Sequence, residues 1–182
     1  DQCSWVHSHD WDLATRKARD LVRMAVARAA LLEPQHTIDV TVQPAALVVG
    51  GGMAGMSAAL ALADQGFPVH LVEKQPELGG NLRRIFTATN VIPPQKLLKE
   101  TIHRVVDHPH IQVHLDCRVS DTTGFKGNFS STIQQKDGTR QRIQHGATIL
   151  ATGGREYHGP DYGYGTHPSI LTQMEFENRF FG

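Results

Sequence analysis

The run Ala45-Ala46-Leu47-Val48-Val49-Gly50-Gly51-Gly52-Met53-Ala54-Gly55 constrains this chain more than any other. A short apolar segment breaks into glycines and then into an alanine-rich stretch, the pattern of strand, tight turn and helix that opens a dinucleotide-binding unit. Each glycine has its own task. Gly50 permits the turn off the strand, Gly52 lets the backbone approach a pyrophosphate with no Cβ in the way, and Gly55 brings the helix close to the sheet. The free N–H groups of Met53 and Ala54, at the positive end of that helix, then face the phosphate oxygens. A ligand with two phosphates is expected here.

With 17 glycines in 182 residues, chance alone produces such spacings, so the surroundings decide. The helix carries Ala58, Ala59, Leu60 and Leu62 and stops at Gly66, a residue suited to a left-handed helix end. A second strand follows over residues 67–72 and delivers Glu73, roughly twenty positions beyond the glycines, where a carboxylate accepts the hydroxyls of an adenosine ribose. After it comes Gly79-Gly80-Asn81, a double glycine that lets the chain pass close to a long ligand.

Residues 95–106 repeat apolar positions at helical spacing, and residues 111–119 alternate strictly, which predicts one half-buried strand with Cys117 on its apolar side. His103, His108, His110 and His114 suit helix and strand surfaces better than one metal site. Short strands over residues 125–133 and 140–144, joined by the Asp137-Gly138 signal, predict an antiparallel hairpin. The strand Ala147-Thr148-Ile149-Leu150 ends in Ala151-Thr152-Gly153-Gly154, small residues at the sheet edge where a ligand crevice lies. The expected class is therefore α/β: a Rossmann-like three-layer domain with a parallel sheet plus an antiparallel hairpin.

Ahead of this domain, Asp10 or Asp12 caps a helix reaching about residue 32, after an arm holding Cys3, Trp5, His7, His9 and Trp11. Cys3, His7 and His9 lack the paired spacing of a zinc site, and no metal is expected. Glu33-Pro34 stops the helix, and residues 35–44 form a linker. The organisation expected is thus residues 1–44 as arm, helix and linker, 45–156 as the first part of the binding domain, and 157–182 as a loop and a helix opened by the Thr172/Glu175 capping box. Eighteen basic residues balance eighteen acidic ones, so no basic field recommends nucleic acid. No apolar run approaches the ~20 residues of a membrane span. Two cysteines suit a reducing, cytoplasmic setting.

Taken together, Gly50-x-Gly52-x-x-Gly55, Glu73, Gly79-Gly80 and Ala151-Thr152-Gly153-Gly154 resemble the FAD domain of the pyridine nucleotide-disulfide oxidoreductase superfamily. Cys3-Ser4-Trp5-Val6-His7, Leu71-Val72-Glu73-Lys74, Gly127-Asn128-Phe129 and Leu171-Thr172-Gln173 are similar, more narrowly, to the A-type subunits of heterodisulfide reductase and their bacterial relatives. The resemblance implies an iron–sulfur flavoprotein, working with other subunits and a ferredoxin-type carrier to move electrons towards a disulfide. It further implies that Gly52, Met53 and Ala54 hold the pyrophosphate, Glu73 the ribose and Lys74 the adenine side. Gly80 and Asn81 would meet the flavin side, Val119 the adenine through its backbone, and Thr152-Gly153 the pyrophosphate edge.

This chain departs from that family in its thiols. A [4Fe–4S] centre needs about four thiolates, so clusters are expected only in a longer protein, and the absence of C-x-x-C removes a dithiol relay. The stretch by itself is expected to fold, to bind FAD weakly or not at all, and to catalyse nothing; no catalytic side chain is assigned, with Arg83, Arg84 and Tyr157 the residues of interest. Two other readings stay open: an NAD(P)-binding dehydrogenase domain, and a non-catalytic assembly module.

Overall fold

Glycine and proline cut the sequence into short elements whose arrangement is given by a computed structural model describing residues 2–34, 37, 39–87 and 93–181. They form two units, Asp1–Asp39 and Val40–Gly182. In the first, the helix α1 (Trp11–Ala29) starts at Asp10, whose carboxylate accepts the Leu13 N–H at 2.9 Å. Asp12 in its first turn and Arg28 in its last complement the helix dipole. It ends three residues before the expected Leu32, and Trp5 and Trp11 are exposed. The linker expected over residues 35–44 lies partly outside the described residues.

The second unit is built on β1 (Ala46–Val49), β2 (Val69–Val72), β3 (Ile111–His114) and β7 (Ala147–Leu150), a parallel sheet ordered β3-β2-β1-β7. The central strand is apolar throughout because both of its faces are covered. Val48 turns to α2 (Met53–Ala63) and α3 (Pro94–Val106), sharing a core with Met56, Ala59, Leu60, Leu71, Leu98 and Val105. Leu47 turns the other way, onto Val72, Cys117, Ile133 and Ile143. Fully burying one such aliphatic chain contributes roughly 1.5–3 kcal/mol, so the two clusters hold three layers together: helices, parallel sheet, antiparallel sheet. Gly66, with φ of 88°, stops α2 as expected.

That third layer is larger than the hairpin the sequence suggests. It comprises β4 (Cys117–Phe125), β5 (Asn128–Gln135) and β6 (Arg140–His145), in that order. Gly127 and Gly138, both with positive φ, make its two turns. The strand expected over residues 111–119 is two strands. Asp116 takes a left-handed φ of 52°, and its N–H donates to the Gln75 carbonyl at 3.1 Å, so the chain leaves the parallel sheet after His114 and enters the antiparallel one at Cys117. Aspartate tolerates that conformation better than most residues. Residues ahead of β1 also belong to this layer: Gln43 donates to the Gly127 carbonyl at 2.9 Å, and Gly146 donates to the Ala45 carbonyl at 2.9 Å.

The histidines correct a second expectation. His114 is buried, its Nε2 lying 3.1 Å from His70 Nδ1, and His145 is fully buried on β6. His145 Nδ1 faces the Ala147 carbonyl at 3.1 Å, which makes Nδ1 the protonated nitrogen and leaves Nε2 to accept from the Ser131 hydroxyl at 2.8 Å. Burial lowers the pKa of all three rings, helped for His70 by His145 and for His114 by His70. The unfolded chain then binds protons more readily than the folded one, so stability falls as pH drops through the ordinary histidine value of 6.5 and is level above it. Urea unfolding is expected to show a lower midpoint at about pH 5.5 than at about pH 7.5, with the difference reduced by His145→Gln.

Candidate dinucleotide site

β1 ends at Gly50, whose φ of 113° turns the chain toward α2. The turn is fastened on both sides: Gly50 N–H donates to the Val72 carbonyl at 2.8 Å, and Ala151 N–H donates to the Val49 carbonyl at 2.8 Å. A Cβ on Gly50 would strike the Ala151 carbonyl, and one on Gly55 would strike the Gly50 carbonyl. Those two glycines serve the chain's own packing. Gly52 does not, because its φ of −75° and ψ of −177° suit any residue and nothing lies within 4 Å of where its Cβ would be.

The space left by that missing side chain lies over the start of α2. The first helical bond there runs from Met56 N–H to the Gly52 carbonyl at 2.9 Å, which leaves the N–H groups of Met53, Ala54 and Gly55 without intrahelical acceptors. Open volume, donors without intrahelical acceptors and the positive helix end coincide at one spot.

Glu73 closes one side. Its carboxylate is 6% exposed and turned to the glycine turn, with Oε2 accepting from Gly51 N–H at 2.6 Å and Oε1 from Gln75 N–H at 2.9 Å. Each oxygen keeps a further lone pair, so the group can still accept a hydroxyl. The double glycine closes another side. Gly79 N–H donates to the Gly51 carbonyl at 2.8 Å, Gly52 and Gly79 form a parallel bridge, and a Cβ on Gly80 would come within 3.2 Å of Gly52 Cα. Asn81 follows in a short 3-10 turn, Gly80–Arg84, and its Nδ2 reaches the Gly154 carbonyl at 3.4 Å.

Thus Gly50, Gly52, Met53, Ala54, Gly55, Glu73, Gly79, Gly80, Asn81, Ala151, Thr152 and Gly153 converge at the carboxyl ends of β1 and β7, where the strand order reverses. Thr152 and Gly153 are exposed there. Lys74 is exposed next to Glu73. Val119 is farther out on β4, two residues beyond Cys117, whose N–H donates to the Glu73 carbonyl at 3.0 Å. A register shift between Val119 and Asp121 marks a bulge at that point.

Other candidates are accounted for locally. Arg83 donates to the Leu78 carbonyl at 2.5 Å and pairs with Glu77 at 3.0 Å, Arg84 is exposed, and Tyr157 donates to Asp161 at 2.7 Å. Cys117 is a buried thiol with its pKa raised first by desolvation and then by Asp116 and Asp137. Among the described residues no group of three or more His, Cys, Asp or Glu can hold a metal, and no helix is long and apolar enough to cross a membrane. The sequence reading missed Gly51, where a Cβ would meet Leu78 and Glu73, and Gln95, whose Nε2 donates to the carbonyls of Leu82 at 3.0 Å and Ile85 at 2.8 Å. The triple glycine was the only available signal for the first.

Fold and turn together define a Rossmann-like dinucleotide-binding domain, and residues 48–113 match the family model described as NAD(P)-binding Rossmann-like domain. The chain is 44% identical over 137 residues to the first iron-sulfur A-subunit of CoB–CoM heterodisulfide reductase from Methanopyrus kandleri, covering 75% of this chain and 20% of that one. It is 42% identical over 137 residues to the A-subunit of H2:CoB–CoM heterodisulfide,ferredoxin reductase from Methanothermobacter thermautotrophicus, covering 75% and 21%. Over three quarters of its length the chain is thus homologous to heterodisulfide reductase A-type subunits, and it spans about a fifth of the length of these curated relatives. The solved structure of L-proline dehydrogenase from P. horikoshii shares the fold, with a TM-score of 0.53 at 24% identity over 66% of this chain and 25% of that one.

The two kinds of glycine separate in a stability measurement. Gly55→Ala is expected to destabilise by about 3 kcal/mol or more, because backbone must move. Gly52→Ser, which supplies a favourable helix cap in open space, is expected to stay within about 0.5 kcal/mol of the parent in urea unfolding.

Proposed function

We propose that this chain is the FAD-binding segment of an iron–sulfur flavoprotein oxidoreductase, which passes electrons towards a disulfide or a ferredoxin-type acceptor within a multi-subunit complex. The observation that carries the reading is the open volume at Gly52 beside the N–H groups of Met53, Ala54 and Gly55, which have no intrahelical acceptor, walled by Glu73 on one side and by Gly79-Gly80 on the other. Gly52, Met53 and Ala54 hold the diphosphate, with Gly50 and Gly55 shaping the turn. Glu73 accepts the adenosine ribose hydroxyls, flanked by Lys74 and the Val119 backbone. Gly79, Gly80 and Asn81 line the flavin half, and Ala151, Thr152 and Gly153 close the pyrophosphate edge.

Bound FAD supplies the redox chemistry, and the protein supplies position and electrostatics. The names of the relatives support the class: one is called an iron-sulfur component of a heterodisulfide reductase, the other a component of a heterodisulfide,ferredoxin reductase. Cys3 and Cys117 are the only cysteines, so clusters of about four thiolates each sit outside these residues. A nicotinamide dinucleotide is the second reading, favoured by the description of the matching family model.

Equilibrium titration of the intact gene product tests the choice. FAD is expected to bind at least tenfold more tightly than NAD or NADP, Gly52→Val to weaken FAD about 100-fold and Glu73→Ala about tenfold. Preference for a nicotinamide dinucleotide, or unchanged FAD affinity in Gly52→Val, contradicts the proposal.

A further inference from the structure

Glu177 lies on α4 (Gln173–Phe181) and is 1% exposed, yet α4 does not use it for its own ends. The helix is opened by the reciprocal Thr172/Glu175 box, in which Thr172 N–H donates to Glu175 at 2.9 Å and Glu175 N–H donates to Thr172 Oγ1 at 3.2 Å. Glu177 instead reaches a segment some ninety positions earlier. Its carboxylate accepts the Phe86 N–H at 3.0 Å, the Thr87 hydroxyl at 2.5 Å and, from its own helix, Gln173 Nε2 at 3.2 Å. A carboxylate removed from water is costly unless its lone pairs are taken up, and here donors from two elements take them up.

What this carboxylate fastens is the segment just beyond the 3-10 turn Gly80–Arg84, whose first residues form the cleft wall. Gln95 holds the Leu82 and Ile85 carbonyls, Arg83 holds the Leu78 carbonyl, and Gly80 rests against Gly52. The same helix is tied to the chain that leaves the opposite wall: Met174 N–H donates at 2.9 Å to Glu156, three residues beyond Gly153, and farther along the Tyr164 hydroxyl donates to Glu175 at 2.8 Å. Asn81 and Gly154 meet between the two walls.

We infer that Glu177 is a positioning residue for the wall made of Gly79, Gly80 and Asn81, setting how closely it approaches Gly52 and so how well the half of a dinucleotide beyond the diphosphate is held. The inference rests on the FAD reading and deepens it. ADP, which reaches only the Gly52 and Glu73 side, is indifferent to Glu177; FAD, which spans both sides, is not.

The test titrates the intact gene product and its Glu177→Leu and Glu177→Gln variants with ADP and with FAD. Glu177→Leu is expected to lose about tenfold or more in FAD affinity with ADP affinity changed less than about twofold, and Glu177→Gln, which keeps one acceptor oxygen, to fall between. The near-ultraviolet and visible dichroism of bound FAD should change in the same order. Equal losses for ADP and FAD, or no loss for either, overturn the role. Should Glu177→Leu not fold, Thr87→Val removes one donor at an exposed position and is expected to show the same split, at about threefold. Parent protein that binds ADP but not FAD defeats the flavin reading, and the positioning role with it, before any variant is made.

Discussion

How closely the chain approaches itself between Gly50 and Gly55 governs the carboxyl edge of the parallel sheet. The Gly50 carbonyl occupies the place of a Gly55 side chain, and the Ala151 carbonyl occupies that of a Gly50 side chain, so β1, α2 and β7 meet at less than ordinary side-chain distance. Only a turn drawn this tight points the first N–H groups of α2 out along the sheet edge. Gly52 stands apart from that economy of space. It is bare although its own neighbourhood would admit a side chain, and the proposed diphosphate site gives that bareness a use, since a ligand can then come close to the backbone.

The layers on either side support the turn. Val48 and Leu47 send their side chains in opposite directions from adjacent positions, one to the helices and one to the antiparallel sheet. Their burial holds β1 in register with Val69–Val72 and Ala147–Leu150, which fixes the two strand ends that flank the crevice. The loop after Glu73 then has a single short path back to Gly51 and Gly52. Left-handed backbone at Gly79 and Gly80 makes that path possible.

What was legible in the sequence was local chemistry. The apolar run into glycines, the carboxylate closing the second strand, the Asp10 cap and the Thr172/Glu175 box each depend on residues a few positions apart, and each is found in place. What was hidden depends on distant contacts or on a single dihedral angle. The alternation over residues 111–119 continues unbroken through Asp116, so nothing in its periodicity reports that the chain changes sheets there. His114 reads as a polar-face residue until His70, forty-four positions earlier, is seen opposite it. Glu177 looks like any solvated helix residue until Phe86 and Thr87 are placed against it.

Amide-resolved NMR during titration with ADP decides whether the bare backbone at Gly52 and the start of α2 form a diphosphate site. A diphosphate site there gives saturable shifts concentrated at the N–H groups of Gly52, Met53 and Ala54, with AMP producing a weaker effect at the same amides. Shifts scattered over the surface, or none at these three groups at saturating ADP, would contradict it.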